Sequence, residues 1–128
     1  MKKSFRGDFS FLGTIDNKYF ILRDNGHLFL INLFYYEIVQ KIEDNNSIRL
    51  ILINDTFIQI IKIDSNKLKI KVSKFDLIEG VFRVSETKEE NVFSLYFWNL
   101  VYLGKDIQSD KDLVLLLTSS YDRILIKV

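Results

Sequence analysis

The sequence of 128 residues contains no cysteine, a single histidine and no apolar run long enough to cross a membrane as a helix. Without cysteine, the chain forms no disulfides or thiolate metal sites and has no cysteine nucleophile. A membrane-spanning helix needs about 20 predominantly apolar residues, so we expect no membrane partner. The charged start of the chain, with no apolar stretch after it, does not fit a secretory signal peptide. These features favour an intracellular protein, cytoplasmic or nuclear.

The net charge is small, and catalytic motifs are absent from the sequence. The 18 basic and 17 acidic side chains leave a net charge of +1, which argues against a purely electrostatic nucleic-acid binder. The sequence has no glycine-rich phosphate loop, no serine nucleophile elbow and no metal-spaced His/Glu pair. His27 would need partners from elsewhere in the fold, and Asp24 is the nearest candidate. We therefore predict that the protein is not an enzyme and has no catalytic, cofactor or metal site.

What the sequence has in abundance is alternation of apolar and polar residues with a period of two. Its 48% hydrophobic content is enough for a core, and we predict one all-β domain over residues 1–128. Polar turn residues separate the runs. The predicted strands lie near Lys2 to Arg6, Asp8 to Ile15, Lys18 to Asp24, His27 to Leu33, Tyr35 to Ile42, Ser47 to Asn54, Thr56 to Asp64, Lys67 to Phe75, Gly80 to Glu86, Asn91 to Gly104, Asp112 to Thr118 and Asp122 to Val128. The polar stretch from Ser85 to Asn91 is predicted to be a loop.

A hairpin pattern recurs along the chain. A polar turn containing Asp24 leads into an alternating strand, and the pattern returns at Asp64 and again at Asp122. In each copy another apolar run precedes the turn. A repeated hairpin of this period predicts stacked or radial β units that share a core. Each of the three aspartates should then lie between consecutive antiparallel strands.

The last copy carries a family resemblance. In the segment from Thr118 to Ile126, a pair of small residues, an aspartate in the turn and an alternating apolar strand follow one another. This order resembles the middle hairpin of a WD-repeat β-propeller blade. The Trp-Asp pair that names that family is absent, and Lys127-Val128 occupies its place in this copy. The resemblance implies antiparallel, propeller-like blades, about three of them with four strands each.

Three blades leave sheet faces and edges to be covered. The chain has no predicted strand after Val128, and the run from Lys2 to Arg6 could complete the third blade. Two chains, or a larger partner, could then close the assembly, so we expect a protein partner or a homo-oligomer. The alternative is a self-contained β-sandwich or barrel whose hairpins merely look alike.

Aromatic residues make up 14% of the chain and concentrate in two places. Most should be core, but adjacent aromatics in a strand cannot all face the same side. A surplus aromatic face is a candidate for a protein interface. The candidate interface residues are Tyr35, Tyr36, Tyr96, Trp98 and Tyr102.

The function predicted from these features is a non-catalytic module for protein–protein interaction or assembly. The alternative is a small β-barrel that binds a ligand or nucleic acid. Its basic side would come from Lys62, Lys67, Lys69, Lys71 and Lys74, of which Lys67, Lys69 and Lys71 share one strand face. Lysines of this kind also keep exposed strands soluble, and we predict that nucleic acid is not the partner.

Overall fold

A computed structural model of the protein describes residues 9–24, 26–44, 47–64, 66–92, 97–118 and 123–128. These residues form eleven β-strands and no helix, which confirms the all-β prediction. Accordingly, none of the described elements is a helix long and apolar enough to span a membrane. The strands are β1 (Ser10–Ile15), β2 (Tyr19–Arg23), β3 (His27–Asn32), β4 (Ile38–Glu43), β5 (Ser47–Ile53), β6 (Thr56–Asp64), β7 (Lys69–Ile78), β8 (Val81–Asn91), β9 (Phe97–Lys105), β10 (Asp112–Thr118) and β11 (Arg123–Lys127).

The strands form three antiparallel sheets, each a meander in which neighbours in sequence are neighbours in the sheet. The first contains β1 to β4, the second β5 to β8 and the third β9 to β11. The prediction of about three antiparallel, four-stranded sheets is confirmed in the number of sheets, and two of them have the predicted four strands. Within the described residues the third sheet has three strands, and the strands do not close into a barrel.

The repeated turns occupy equivalent places in the meanders. Asp24 lies between β2 and β3, and Asp64 ends β6, just before the turn into β7. These are the connections between the second and third strands of the first and second sheets, as the repeat predicts. Asp122 lies outside the described residues, as do Lys2 to Arg6. The strands β10 and β11 on either side of Asp122 are antiparallel neighbours.

The chain divides into two compact units. The first contains β1 to β4 together with Leu77–Phe82, the turn that joins β7 to β8 and the residues beside it. Ile21 of β2 faces Leu30 of β3 in this sheet, and both are buried. The apolar core of the first unit is formed by buried Ile15, Ile21, Leu28, Leu30, Ile31 and Phe82.

The second unit contains β5, β6, β7 as far as Asp76, β8 from Arg83, and β9 to β11. Its core takes side chains from both sheets, among them Ile60 and Val72 from one and Leu116 and Ile126 from the other. Strand β10 shows why alternation predicted it, because Asp112, Val114, Leu116 and Thr118 are buried and the residues between them are partly exposed. Period-two alternation places every second side chain on the core face.

Two details differ from the sequence-based expectations. Ser85 to Asn91, predicted to be a loop, continues β8. Its side chains are polar because β8 is the edge strand of its sheet, and an edge strand rich in charge remains soluble. The predicted strand from Tyr35 to Ile42 begins only at Ile38, and Tyr35 lies in a turn.

Candidate interaction surface

The connection between β3 and β4 presents three consecutive aromatic side chains to solvent. Phe34 is 72% exposed, Tyr35 71% and Tyr36 40%. We call these three residues the aromatic turn. Large aromatic side chains contribute strongly to the energetics of cores and interfaces when buried, so three exposed rings in succession mark a surface that another molecule can cover.

Local hydrogen bonds order the aromatic turn. The Asn32 side-chain oxygen accepts the backbone N–H groups of Phe34, at 2.7 Å, and Tyr35, at 3.1 Å. The Asn32 carbonyl accepts the N–H of Tyr36 at 2.8 Å, and the Asn32 N–H donates to the carbonyl of Glu37 at 2.9 Å. Tyr36 has a φ of 56°, in the left-handed region that non-glycine residues adopt uncommonly. The exposed rings therefore stand on a backbone held by Asn32.

The connection between β9 and β10 has the same construction with different side chains. The Asp106 carbonyl accepts the N–H of Asp110 at 2.9 Å, and the Asp106 N–H donates to Lys111 at 2.8 Å. The Asp106 carboxylate accepts the N–H of Ser109 at 3.2 Å, and Asp110 has a φ of 58°. Here Gln108, Ser109 and Asp110 stand where the aromatic turn has its three rings. The turn geometry therefore does not require aromatic side chains.

The exposed apolar surface continues into β4. Ile38 is 53% exposed and Val39 is 43% exposed. The register of β4 against β3 shifts at this point, because Ile38 pairs with Ile31 and Gln40 pairs with Leu30, which leaves Val39 as the extra residue. We call the aromatic turn together with Ile38 and Val39 the aromatic surface.

Gln40 marks the boundary of the aromatic surface along β4. Its side-chain amide donates to the Phe82 carbonyl at 2.8 Å and accepts the Phe82 N–H at 2.7 Å. A primary amide that both donates and accepts in this way substitutes for one step of a β-ladder. Through Gln40, β4 is tied to Phe82, which belongs to the same compact unit.

The structure separates the five predicted interface residues. Tyr35 and Tyr36 are exposed on the aromatic turn. Tyr96 lies outside the described residues, and of Trp98 only the backbone, within β9, is described. Tyr102 is half-buried, and its hydroxyl donates to Asp112 at 2.8 Å. These positions leave the interface role of all five residues a prediction.

Sequence reasoning missed Ile38 and Val39 and did not include Phe34 in the interface. The available signal was the pair of β-branched apolar residues directly after the aromatic triplet. Since alternation buries only one of two neighbouring strand residues, such a pair exposes at least one. The Asn32 cap gave a second signal, because asparagine commonly starts turns in this way.

A polar network centred on Asp112 lies within the second unit. The Asp112 side chain is only 4% exposed and contacts Lys74, 13% exposed, at 2.8 Å. It also contacts Lys105, 53% exposed, at 3.4 Å, and accepts the Tyr102 hydroxyl. Buried charges persist when they are paired and hydrogen-bonded, and here the partners come from β7 and β9. This network joins the two sheets of the second unit.

The titration of the network follows from these contacts. Burial acts to raise the pKa of Asp112, but hydrogen bonds from Lys74 and Tyr102 outweigh burial and lower that pKa below its ordinary value of 3.8. The hydrogen bond to Asp112, with a smaller contribution from burial, raises the pKa of Tyr102 above 10.0. Nearby, burial acts to raise the pKa of Asp76, and hydrogen bonds from Thr56 and Ser85 lower it overall. At neutral pH the carboxylates are charged and the phenol is neutral.

This network satisfies its own polar groups. Among the described residues, no buried side-chain nitrogen or oxygen lacks a hydrogen-bond partner. A general acid or base needs a pKa near the working pH, whereas the pKa of Asp112 moves away from neutrality. The contacts fit a cross-sheet ion pair that stabilises the second unit.

His27 is the other residue that sequence analysis considered for chemistry. Its Nδ1 lies 3.7 Å from the Asp24 carboxylate, the carboxylate predicted to be nearest. Asp24 is occupied in capping the turn, since its oxygen accepts the N–H groups of Gly26 at 2.9 Å and His27 at 2.7 Å. Those backbone hydrogen bonds, of which the one from Gly26 has the largest effect, lower the pKa of Asp24. This arrangement is a side-chain cap on a hairpin.

The described part of the chain contains no group of three or more His, Asp or Glu residues placed to hold a metal ion. No protein-family model, curated protein or solved structure matches the chain. The candidate function therefore depends on the chain's own surfaces.

Proposed function

We propose that the protein is a non-catalytic protein–protein interaction module, built from propeller-like β-blades, that binds a partner protein through its aromatic surface. The observation that carries the proposal is the pair of similarly built turns. The Asp106 turn has polar side chains at the three positions where the Asn32 turn has exposed rings, and its one exposed apolar residue, Ile107, lies before those positions. Because the backbone does not need the rings, a role in binding explains them better than a role in folding.

The chemistry of the aromatic surface favours a protein as its partner. Burying an apolar side chain such as Phe contributes about 1.5–3 kcal/mol before the costs of association. The Tyr hydroxyls can keep hydrogen bonds at the rim of such an interface. In sequence, the charged residue next to the aromatic turn is Glu37, which would repel the phosphates of a nucleic acid. Among the described residues, the one basic residue bonded beside the turn is Lys18, through its backbone. An apolar groove on a folded partner would complement this surface.

The lysines that suggested a nucleic-acid surface are partly committed to carboxylates. Lys69 contacts Glu89 at 3.1 Å, and Lys74 is held by Asp112. Since nucleic-acid binding depends on neutralising phosphates with available cations, the Lys69–Glu89 pair weakens the basic face of β7. Lys74, on the other face of the strand, is mostly buried and adds no available cation. The propeller-like interpretation is supported by three chain-order meanders with polar turns at equivalent connections.

The test combines site-specific crosslinking with an exchange of turns. A photoreactive phenylalanine analogue at Tyr35, and a control analogue at the exposed Thr14 on β1, would be introduced in the protein's native cells. A partner crosslinked from position 35 and not from position 14 would be purified. Its affinity would then be measured for the wild type and for the triple variant Phe34→Gln/Tyr35→Ser/Tyr36→Asp.

The triple variant copies the tip of the β9–β10 turn, so we expect folding to be retained and affinity to fall at least about tenfold, as for the loss of an interface hot spot. Circular dichroism and the thermal midpoint serve as controls for folding. Equal affinity of a folded triple variant would contradict the proposal. So would the absence of any partner specific to position 35.

A further inference from the structure

Among the described residues, no strand follows β11 in the third sheet at the place where the other two sheets carry a fourth strand; we call this side of β11 its open edge. In the first sheet β4 pairs with the third strand, β3, and in the second sheet β8 neighbours the third strand, β7. The third strand of the third sheet is β11, and among the described residues its one neighbouring strand is β10. The open edge of β11 therefore corresponds to the side on which the third strand of each other sheet is followed by a fourth strand.

The hydrogen bonds of β10 and β11 define which backbone groups point outward. Asp112 and Val128 exchange two hydrogen bonds, at 2.7 and 2.9 Å. In an antiparallel ladder, bonded and non-bonded pairs alternate. The N–H and C=O groups of Arg123, Leu125 and Lys127 consequently point away from β10. Three residues in succession along this edge present the pattern that an added strand bonds.

Side-chain burial along β11 is also lower than in the third strands of the other two sheets. The second residue of the third strand is 2% exposed in β3, where it is Leu28, and 0% in β7, where it is Ile70. The corresponding residue of β11, Ile124, is only half-buried, although it packs against the core. Leu125 is 59% exposed. A strand placed beside β11 would cover apolar surface that fourth strands cover elsewhere.

Charge indicates what such a strand must carry. Each third strand begins with a basic residue, namely His27, Lys69 or Arg123. Glu43 of β4 lies opposite His27, and Glu89 of β8 contacts Lys69 at 3.1 Å. No described carboxylate forms an ion pair with Arg123.

We infer that the open edge of β11 binds an extended segment of a partner protein, with a carboxylate opposite Arg123 and apolar side chains beside Ile124 and Ile126. The inference extends the proposed interaction function to a second surface, separate from the aromatic surface. Main-chain hydrogen bonds would provide affinity, and the alternating side chains would provide specificity. The chain's own run from Lys2 to Arg6 contains three bases and no acid, so it does not supply this carboxylate.

The test measures binding of two labelled heptapeptides to the full chain by fluorescence anisotropy. The acidic peptide has the sequence Thr-Glu-Ile-Thr-Val-Glu-Thr, and the matched control replaces both glutamates with lysine. In antiparallel register the glutamates face Arg123 and Lys127, and the apolar residues face Ile124 and Ile126. We expect the acidic peptide to bind at least about tenfold more tightly than the control, since like charges across an interface are strongly disfavoured.

Two substitutions on β11 locate the binding site. Arg123→Glu should remove the preference between the peptides, because each peptide then meets one like charge and one opposite charge. Leu125→Pro removes an outward N–H and leaves the hydrogen bonds to β10 in place, so it should abolish binding, whereas the control Leu125→Thr should retain it. The triple variant of the aromatic turn should bind the acidic peptide normally, which keeps failure of this inference distinct from failure of the proposed function.

Three outcomes would overturn the inference. One is equal binding of the acidic peptide to the Leu125→Pro variant and the wild type. Another is binding that appears only after deletion of residues 1–7, which would make the chain's own N-terminal segment the occupant. The third is a dimer in light scattering that Leu125→Pro dissociates, which would make a second copy the occupant.

Discussion

Replacing Asp112 with asparagine should destabilise the second unit far more than removing one of its exposed partners. The Asp112 side chain is 4% exposed and Lys74 is 13% exposed, with 2.8 Å between their charged atoms. The Asp112→Asn variant keeps the shape but removes the carboxylate that pairs directly with the Lys74 ammonium, and Asp76 remains as a weaker electrostatic partner. Breaking a buried ion pair costs about 3–5 kcal/mol. Because Lys74 retains some contact with solvent and the amide oxygen still accepts a hydrogen bond, we expect about 2–3 kcal/mol here.

Lys105 provides the matched control. It contacts the same carboxylate at 3.4 Å but is 53% exposed, so Lys105→Ala should cost less than about 1 kcal/mol. The assay is urea unfolding followed by circular dichroism. With a typical urea dependence of about 1–3 kcal/mol per molar, Asp112→Asn should lower the midpoint by roughly 1–2 M.

A double-mutant cycle with Lys74→Met separates the pair from its surroundings. If the ion pair carries the effect, the double variant should be more stable than the sum of the two single losses predicts, by more than about 1 kcal/mol. Additive losses, or an Asp112→Asn variant as stable as Lys105→Ala, would refute the assignment of Asp112 as the cross-sheet anchor.

Two further predictions concern pH and backbone strain. Folding lowers the pKa of Asp112, so the stabilisation from this carboxylate is present above the unfolded pKa near 3.8 and is lost as pH falls through the lower folded pKa. In the Asp112→Asn variant, the free energy of unfolding should therefore fall less steeply with decreasing pH in the acidic range. An acid dependence equal to that of the wild type would contradict this. Gly80 has a φ of 77°, and a Cβ there would lie 2.8 Å from the Tyr19 hydroxyl oxygen. Gly80→Ala should thus lower the free energy of unfolding by about 1–2 kcal/mol, with partial recovery when combined with Tyr19→Phe. A variant at least as stable as wild type would show that this turn is not constrained.

Much of the fold could be predicted from the sequence because its strands are half-buried and alternate. In β10 the buried and partly exposed residues follow strictly in turn, so period two was sufficient to place it. Alternation does not predict a strand from Ser85 to Asn91, since an edge strand such as β8 has polar residues on both faces. Polarity there reflects the position of a strand in its sheet, which depends on contacts distant in sequence.

The candidate surface was predictable only in part, for a related reason. Two adjacent tyrosines indicate that an aromatic ring is exposed, but the apolar run in which they lie predicts a strand from Tyr35 to Ile42. The structure places Tyr35 and Tyr36 in a turn that Asn32 caps. Tyr102 shows the opposite case, because its ring packs against the core of the second unit and its hydroxyl is held by Asp112. Aromatic content alone does not separate these two situations.

The two capped turns separate what folding requires from what the surface displays. Asn32 and Asp106 each accept backbone N–H groups through the side chain, and each is followed four residues later by a residue in the left-handed region. At the tip, one turn shows three aromatic rings, and the other shows Gln108, Ser109 and Asp110. Since the same turn geometry accommodates both sets of side chains, the fold does not require exposed rings on the aromatic turn, and exposing their apolar area to water is unfavourable. That cost is offset when a partner covers the rings, which is why exchanging the tips isolates binding from folding.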